Sequence, residues 1–178
     1  MCEGKVTERE YFGGLRSMHR LPALQVEGPY PSPPDLVQAA VKRRDSALSD
    51  PYDVIWCVFD VEYPVRVRLE ESLAIAKEER FKIALSNPCF ELWLILHFKD
   101  CSSQLSTAAA CKMAEELKGY TNKHIDFSMF ADKIDAAMER SQMLNVTHAT
   151  NFKNCPDDNP STNVGILTSE LVRLSRRT

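Results

Sequence analysis

The feature that most constrains the fold is a short apolar run that ends abruptly in acids. The run Val54 to Phe59 is followed at once by Asp60, Val61 and Glu62, and Pro64 comes two residues later. A run of this length, rich in β-branched and aromatic residues, predicts a strand buried on both faces, as strands of a parallel sheet are. Pro64 is expected to stop it.

The two acids at the end of this strand are the first candidates for a functional site. Side chains alternate along a strand, so Asp60 and Glu62 are predicted to point the same way. In open α/β sheets the pocket lies beyond the carboxyl ends of the strands. Like charges there repel each other unless a cation lies between them, and oxygen ligands favour Mg²⁺ or Mn²⁺. The alternative, that both acids are solvated strand-end residues, stays open on the pattern alone.

The segments that follow predict an α/β unit. A helix is expected from about Val67 to Glu79 and a second strand from Phe81 to Leu85, which is the strand, helix, strand order of a parallel sheet. Asn87 and Pro88 then suit the start of a helix, with Asn87 as its N-cap.

The helix predicted after Pro88 reads CFELWLILHF and is apolar nearly all round, so we expect it to be buried. Glu91 in its first turn has two explanations, namely the helix dipole or a position near a metal or phosphate. His97 is predicted to be a hydrogen-bonded core histidine rather than a ligand or base.

The N-terminal segment contains a third acid, Glu3. Thr7 and Glu10 have capping-box spacing, which predicts a helix from Thr7 to about Arg16. Glu3 stands just before it, with no apolar run upstream to supply a strand. We therefore expect a missing first strand and a loosely held Glu3.

Composition excludes some classes of protein. A chain of 178 residues predicts one domain, and no apolar run reaches the length of a membrane span. The net charge of −3 argues against a broadly basic nucleic-acid binder but does not exclude local basic patches. Six cysteines without a CxxC pair predict reduced, packed thiols of a cytoplasmic protein and disfavour a zinc site.

Four stretches in order carry a family resemblance. They are CEGKVTEREYF (Cys2 to Phe12), CVFDVE (Cys57 to Glu62), SNPCFELWLILHF (Ser86 to Phe98) and NPSTNVGILTSEL (Asn159 to Leu171). Together they resemble the RloB-like family of prokaryotic defence proteins, which look like divergent members of the Toprim superfamily.

The resemblance implies a fold and a set of site residues. The fold is a Toprim-like (Rossmann-like) α/β core over residues 1–100, with a parallel sheet flanked by helices. A helical extension over 101–178 belongs to the same compact domain. By motif, Glu3 matches the first Toprim acid and Asp60 with Glu62 the later pair, which together hold Mg²⁺ (or Mn²⁺) for phosphodiester chemistry. Glu62 departs from the family pattern, where an Asp is usual.

The resemblance also implies a function, a nuclease acting on RNA or DNA in phage defence. Such proteins are associated with restriction-modification loci and abortive infection, with an ABC/OLD-type ATPase as partner, and a homo-oligomer is left open. Further candidates are Glu91 for metal orientation, and Asn87 and Lys5 for phosphate contact. The alternative is a catalytically inactive sensor or regulatory subunit of a defence complex.

Overall fold

The computed structural model describes residues 1–46, 54–62, 68–151 and 153–176. Within them the helices are α1 (Thr7–Met18), α2 (Pro33–Ser46), α3 (Leu69–Glu78), α4 (Glu91–Leu96), α5 (Thr107–Glu115), α6 (Ile134–Thr150) and α7 (Val164–Ser175). The strands are β1 (Trp56–Asp60), β2 (Lys82–Asn87), β3 (Tyr120–Thr121), β4 (His124–Ile125) and β5 (Ser161–Thr162), and two 3-10 turns cover Phe127–Met129 and Ala131–Lys133. The predicted strand stop at Pro64 and helix start at Val67 lie outside the described residues.

The main sheet is small and mixed. Its strand order is β1-β2-β5, with β1 parallel to β2 so that Asp60 lies opposite Ser86. This pair, joined through α3, confirms the predicted strand, helix, strand unit. β5 runs antiparallel to β2. A larger Toprim-like parallel sheet therefore stays a prediction.

Helices cover β1 on both faces. Cys57 and Phe59 pack into a cluster with Leu36 of α2 and Leu69 of α3. Val58, which points the other way, belongs to the larger cluster built from α1 and α4 to α7. The predicted burial of this strand on both faces is confirmed for its three central residues, because consecutive side chains alternate between the two clusters.

Helix α4 is the centre of the larger cluster. Its apolar residues from Leu92 to Leu96 have no exposed surface, which confirms the predicted burial. The predicted start at Asn87 is wrong, because Asn87 ends β2 and the helix begins at Glu91. None of the helices in the described part of the chain has the length and apolarity needed to cross a lipid bilayer.

His97 follows α4 and is buried among aromatic rings. One ring nitrogen, Nδ1, lies 2.9 Å from the Trp93 carbonyl oxygen, which can only accept, so Nδ1 donates. Nε2 then accepts from the Tyr11 hydroxyl at 3.1 Å. The prediction of a hydrogen-bonded core histidine is confirmed.

The first two residues extend the sheet beside β1. The Met1 carbonyl accepts from the backbone N–H of Val58 at 2.9 Å, and Cys2 forms a parallel bridge to Val58. On its other side the Cys2 N–H donates to the Glu27 carbonyl at 2.9 Å. The expectation of a loosely held segment before α1 is wrong, because backbone hydrogen bonds hold it on both sides.

Gly28 supports this segment through a close backbone approach. It has a φ of +152°, and a Cβ there would lie 2.4 Å from the Cys2 carbonyl oxygen. We expect Gly28→Ala to lower the free energy of unfolding by about 1–3 kcal/mol, measured by denaturant titration, because two backbone segments would have to separate. Gly13→Ala is the matched control. Gly13 lies within α1, and a Cβ added there would meet no other atom. Gly13→Ala should therefore raise the free energy of unfolding by up to about 1 kcal/mol. Equal stability of the two variants would contradict the assignment.

Candidate metal centre

The structure brings Glu3 and Asp60 together at the end of β1. Because Cys2 pairs with Val58 in parallel register, the next residue reaches the carboxyl end of β1. Glu3 is buried there, and its Oε2 accepts from the Asp60 backbone N–H at 3.0 Å. Glu3 is thus positioned by the sheet itself.

Glu62 reaches the same region through a turn. β1 ends at Asp60, after which the Val61 N–H donates to the Ser86 carbonyl and the Glu62 N–H donates to the Pro88 carbonyl at 2.8 Å. Glu62 has a φ of +53°, which is left-handed rather than extended. The predicted alternation therefore does not apply to Glu62; the turn brings its charge close enough to act on Asp60.

Glu91 is the fourth acid of the candidate centre, and it is the first residue of α4. Only 5 % of its surface is exposed, and its Oε1 accepts from the Tyr120 hydroxyl at 3.0 Å. Tyr120 lies in β3, in the part of the chain after α5. Of the two explanations for Glu91, its effect on Asp60 favours membership of the acidic site.

Glu8 is a site residue that sequence reasoning missed. It lies in the first turn of α1, is buried, and its Oε1 accepts from the Gly4 N–H at 2.9 Å. A Cβ on Gly4 would lie 1.7 Å from Glu8 Oε2, so the missing side chain at Gly4 makes room for this carboxylate. A glycine shortly before an acid in the first helical turn is the signal that could have indicated it.

The acids repel one another strongly. Burial is the largest cause that raises the pKa of the half-buried Asp60 well above its ordinary value, followed by the charges of Glu8, Glu91, Glu3 and Glu62. Burial also raises the pKa of Glu8, with the charge of Glu91 as a further cause. A site of this kind binds either protons or a cation more tightly than isolated carboxylates do.

The acids at this site have the ligand chemistry that a hard divalent cation prefers, although among the described residues no three of them bring carboxylate oxygens within 4.8 Å of one another. We call the five residues Glu3, Glu8, Asp60, Glu62 and Glu91 the carboxylate cluster. Its carboxylate oxygens are the ligand type that Mg²⁺ and Mn²⁺ prefer. A bound divalent cation would offset the mutual repulsion that raises the pKa of Asp60.

The proposed phosphate contact by Asn87 has little support in the structure. Its side-chain amide donates to the Pro156 carbonyl at 3.0 Å and to Asp158 Oδ1 at 2.7 Å, and its Oδ1 accepts from Asn159. The amide anchors the loop before β5. A phosphate would have to displace these bonds.

The outer face of α1 carries a basic groove. Lys5, Arg9, Arg16 and His124 line a depression of about 390 Å³ and are all exposed, together with one acid, Glu10, which pairs with His124 at 2.8 Å. Glu8 lies one residue before Arg9, on the buried side of the same helix. Lys5 is thus an exposed lysine directly after Gly4, beside the carboxylate cluster.

The predicted capping box at Thr7 and Glu10 is wrong. α1 begins at Thr7 with Val6 as its N-cap, and no side chain caps it. The Thr7 hydroxyl donates to the Lys123 carbonyl, and Glu10 accepts from the Ile125 N–H at 2.6 Å. Both side chains tie α1 to the β3–β4 hairpin instead.

A family model described as RloB-like protein matches residues 1–171. The chain belongs to the RloB-like family. No curated protein and no solved structure gives a significant match. The match to the RloB-like model spans the whole carboxylate cluster, from the N-terminal segment through β1 to α4, as well as the groove on α1.

Proposed function

We propose that this RloB-like protein is a Mg²⁺-dependent (or Mn²⁺-dependent) nuclease that hydrolyses phosphodiester bonds of RNA or DNA. The observation that carries the proposal is the convergence of the carboxylate cluster at the carboxyl end of β1. The cluster combines acids from four chain segments, including Asp60, whose pKa is raised by burial and then by the charges of its neighbours. A solvated pair of strand-end acids would not involve three further buried carboxylates.

Each acid has a role that follows from its position. Asp60 and Glu62 would hold the cation, with Glu91, oriented by Tyr120, completing the oxygen set. Glu3 would either join the ligand set or take a proton from attacking water as general base. When bound, the cation lowers the pKa of its water and offsets charge on the phosphoryl oxygens.

The basic groove supplies a path for the substrate. Three cations, Lys5, Arg9 and Arg16, lie along one face of the segment whose other face presents Glu8 to the cluster. A phosphate backbone bound in this groove would run along the exposed face of α1, whose opposite, buried side carries Glu8. Such contacts contribute affinity without sequence preference.

We expect Arg9→Ala combined with Arg16→Ala to weaken binding of single-stranded RNA or DNA and to flatten its salt dependence. Each lost phosphate contact reduces the magnitude of the slope of log K against log salt by about 0.7–0.9. The magnitude of the slope should therefore fall by about 1.5 in the double variant. The measurement is fluorescence anisotropy at several salt concentrations. Arg173→Ala with Arg176→Ala removes the same charge from exposed positions of α7 and its end, and should leave the slope unchanged. An equal loss in both variants would argue against the groove.

The wider proposal is a role in phage defence with an ABC/OLD-type ATPase. It rests on membership of the RloB-like family and on the resemblance of that family to Toprim effectors. The experiment is a Mg²⁺ and Mn²⁺ titration of the protein with labelled RNA and DNA, with the partner ATPase present and absent. Cleavage that requires the metal supports the nuclease. Metal-dependent stabilisation without cleavage under any of these conditions would favour the regulatory alternative.

A further inference from the structure

A pair of cysteines adjoins the carboxylate cluster. Cys89 lies between β2 and α4, and Cys111 lies on α5, 22 positions further along the chain (111 minus 89). The packing of α5 against α4 brings them together with Glu91. One ligand atom from each of the three residues lies within 4.8 Å of the others.

We propose that Cys89, Glu91 and Cys111 form a second cation site, for a thiophilic divalent metal of the Zn²⁺ class. This site goes beyond the proposed nuclease and requires no cleavage activity; the two sites would share Glu91, because a carboxylate has two oxygens that can contact different ions. Mg²⁺ is poorly matched to sulfur, whereas thiolates select Zn²⁺ and chemically similar ions. The two sites would therefore differ in the metal they take.

The geometry suits a tetrahedral ion with one open position. Zn–S bonds are about 2.3 Å, so two thiolates on one tetrahedral ion lie about 3.8 Å apart. The three ligand atoms lie within 4.8 Å of one another, so at most about one ångström of closure is needed, which rotation about χ1 of the half-buried Cys111 can supply. Three protein ligands with a fourth position open to water or another ligand is the arrangement of reactive rather than purely structural zinc sites.

The residues around this group support a preformed metal site. Cys89 and Glu91 are buried and begin the rigid α4 segment, while the half-buried Cys111 leaves a route from solvent. The Tyr120 hydroxyl donates to Glu91 Oε1 and orients that carboxylate, as outer partners of metal ligands do. All six cysteines are free thiols, so both sulfurs are available as ligands.

Co²⁺ titration of the reduced protein, without nucleic acid, tests the site. We expect one Co²⁺ per chain to produce thiolate-to-cobalt charge-transfer absorption and tetrahedral d–d bands, and Zn²⁺ to abolish both by displacement. Cys111→Ser should lose the charge-transfer bands or reduce them by about half, and Cys89→Ser with Cys111→Ser should lose them entirely. Cys155→Ser, which changes an exposed cysteine, should keep them unchanged.

The cobalt bands of the variants distinguish this cation site from the proposed nuclease site. Asp60→Ala with Glu62→Ala should retain the cobalt bands, because neither residue is a ligand of the second site. Circular dichroism checks that each variant is folded, and the half-buried Cys111 provides a test that does not disturb the core if Cys89→Ser fails to fold. Absence of the bands in the reduced wild type, or their persistence in folded Cys111→Ser at full intensity, would overturn the proposal.

Discussion

Replacing Asp60 and Glu62 together by alanine is expected to reduce Mg²⁺-dependent cleavage about a thousandfold or more. If these two carboxylates hold the metal as proposed, their loss removes several kcal/mol of transition-state stabilisation, and about 1.4 kcal/mol corresponds to a factor of ten. The measurement is single-turnover cleavage of labelled RNA and DNA at saturating Mg²⁺. Cleavage that survives in the double variant would remove these residues from the mechanism.

The same variant should be as stable as the wild type or more stable. Burial and four neighbouring carboxylates raise the pKa of Asp60, so its ionised form is unfavourable in the folded protein at neutral pH. Mg²⁺ should raise the unfolding temperature of the wild type by mass action but leave that of the double variant unchanged. Asp135→Ala with Glu139→Ala is the matched control, because both acids are exposed on α6, and it should keep activity and the response to Mg²⁺.

Between pH 6.5 and pH 4 the free energy of unfolding is expected to fall by up to about 3 kcal/mol because of His97 alone. Burial lowers the pKa of His97 from 6.5 to about 4. In this window the unfolded chain binds a proton that the folded protein does not, so stability decreases as the pH falls. Protonation at Nε2 would also end its acceptance of the Tyr11 hydroxyl hydrogen.

The carboxylate cluster has the opposite effect on how the free energy of unfolding changes with pH. Asp60 and Glu8 have raised pKa values in the folded protein, so their contribution to stability is lost as the pH rises above their ordinary values. The His97 effect must therefore be isolated by comparing variants. Denaturant unfolding of wild type and His97→Gln from pH 4 to pH 7 should give curves that converge towards pH 4. Curves for wild type and His97→Gln that stay parallel over this range would contradict the assignment.

Local pattern was a reliable guide where one short-range preference dominated. The unbroken apolar run predicted β1, and the continuous apolar surface of α4 predicted its burial. The predictions of helix caps failed at Asn87 and Thr7. Their side chains bond to the loop before β5 and to the β3–β4 hairpin, which are distant in sequence. Capping preferences are worth only about 1 kcal/mol, so such tertiary hydrogen bonds can replace them.

The sequence by itself determined that an apolar strand ends in Asp60 and Glu62, that α4 is buried, and that Glu3 precedes the first helix. Only the tertiary structure decided that Glu3 is held beside Asp60, that Glu8 and Glu91 join them, and that Cys89 meets Cys111. The physical reason is how far apart in the sequence the interacting residues lie. Strand and helix patterns arise from neighbours a few residues apart, whereas the carboxylate cluster and the cysteine pair require a parallel backbone bridge, a left-handed turn after β1 and the packing of α4 on α5.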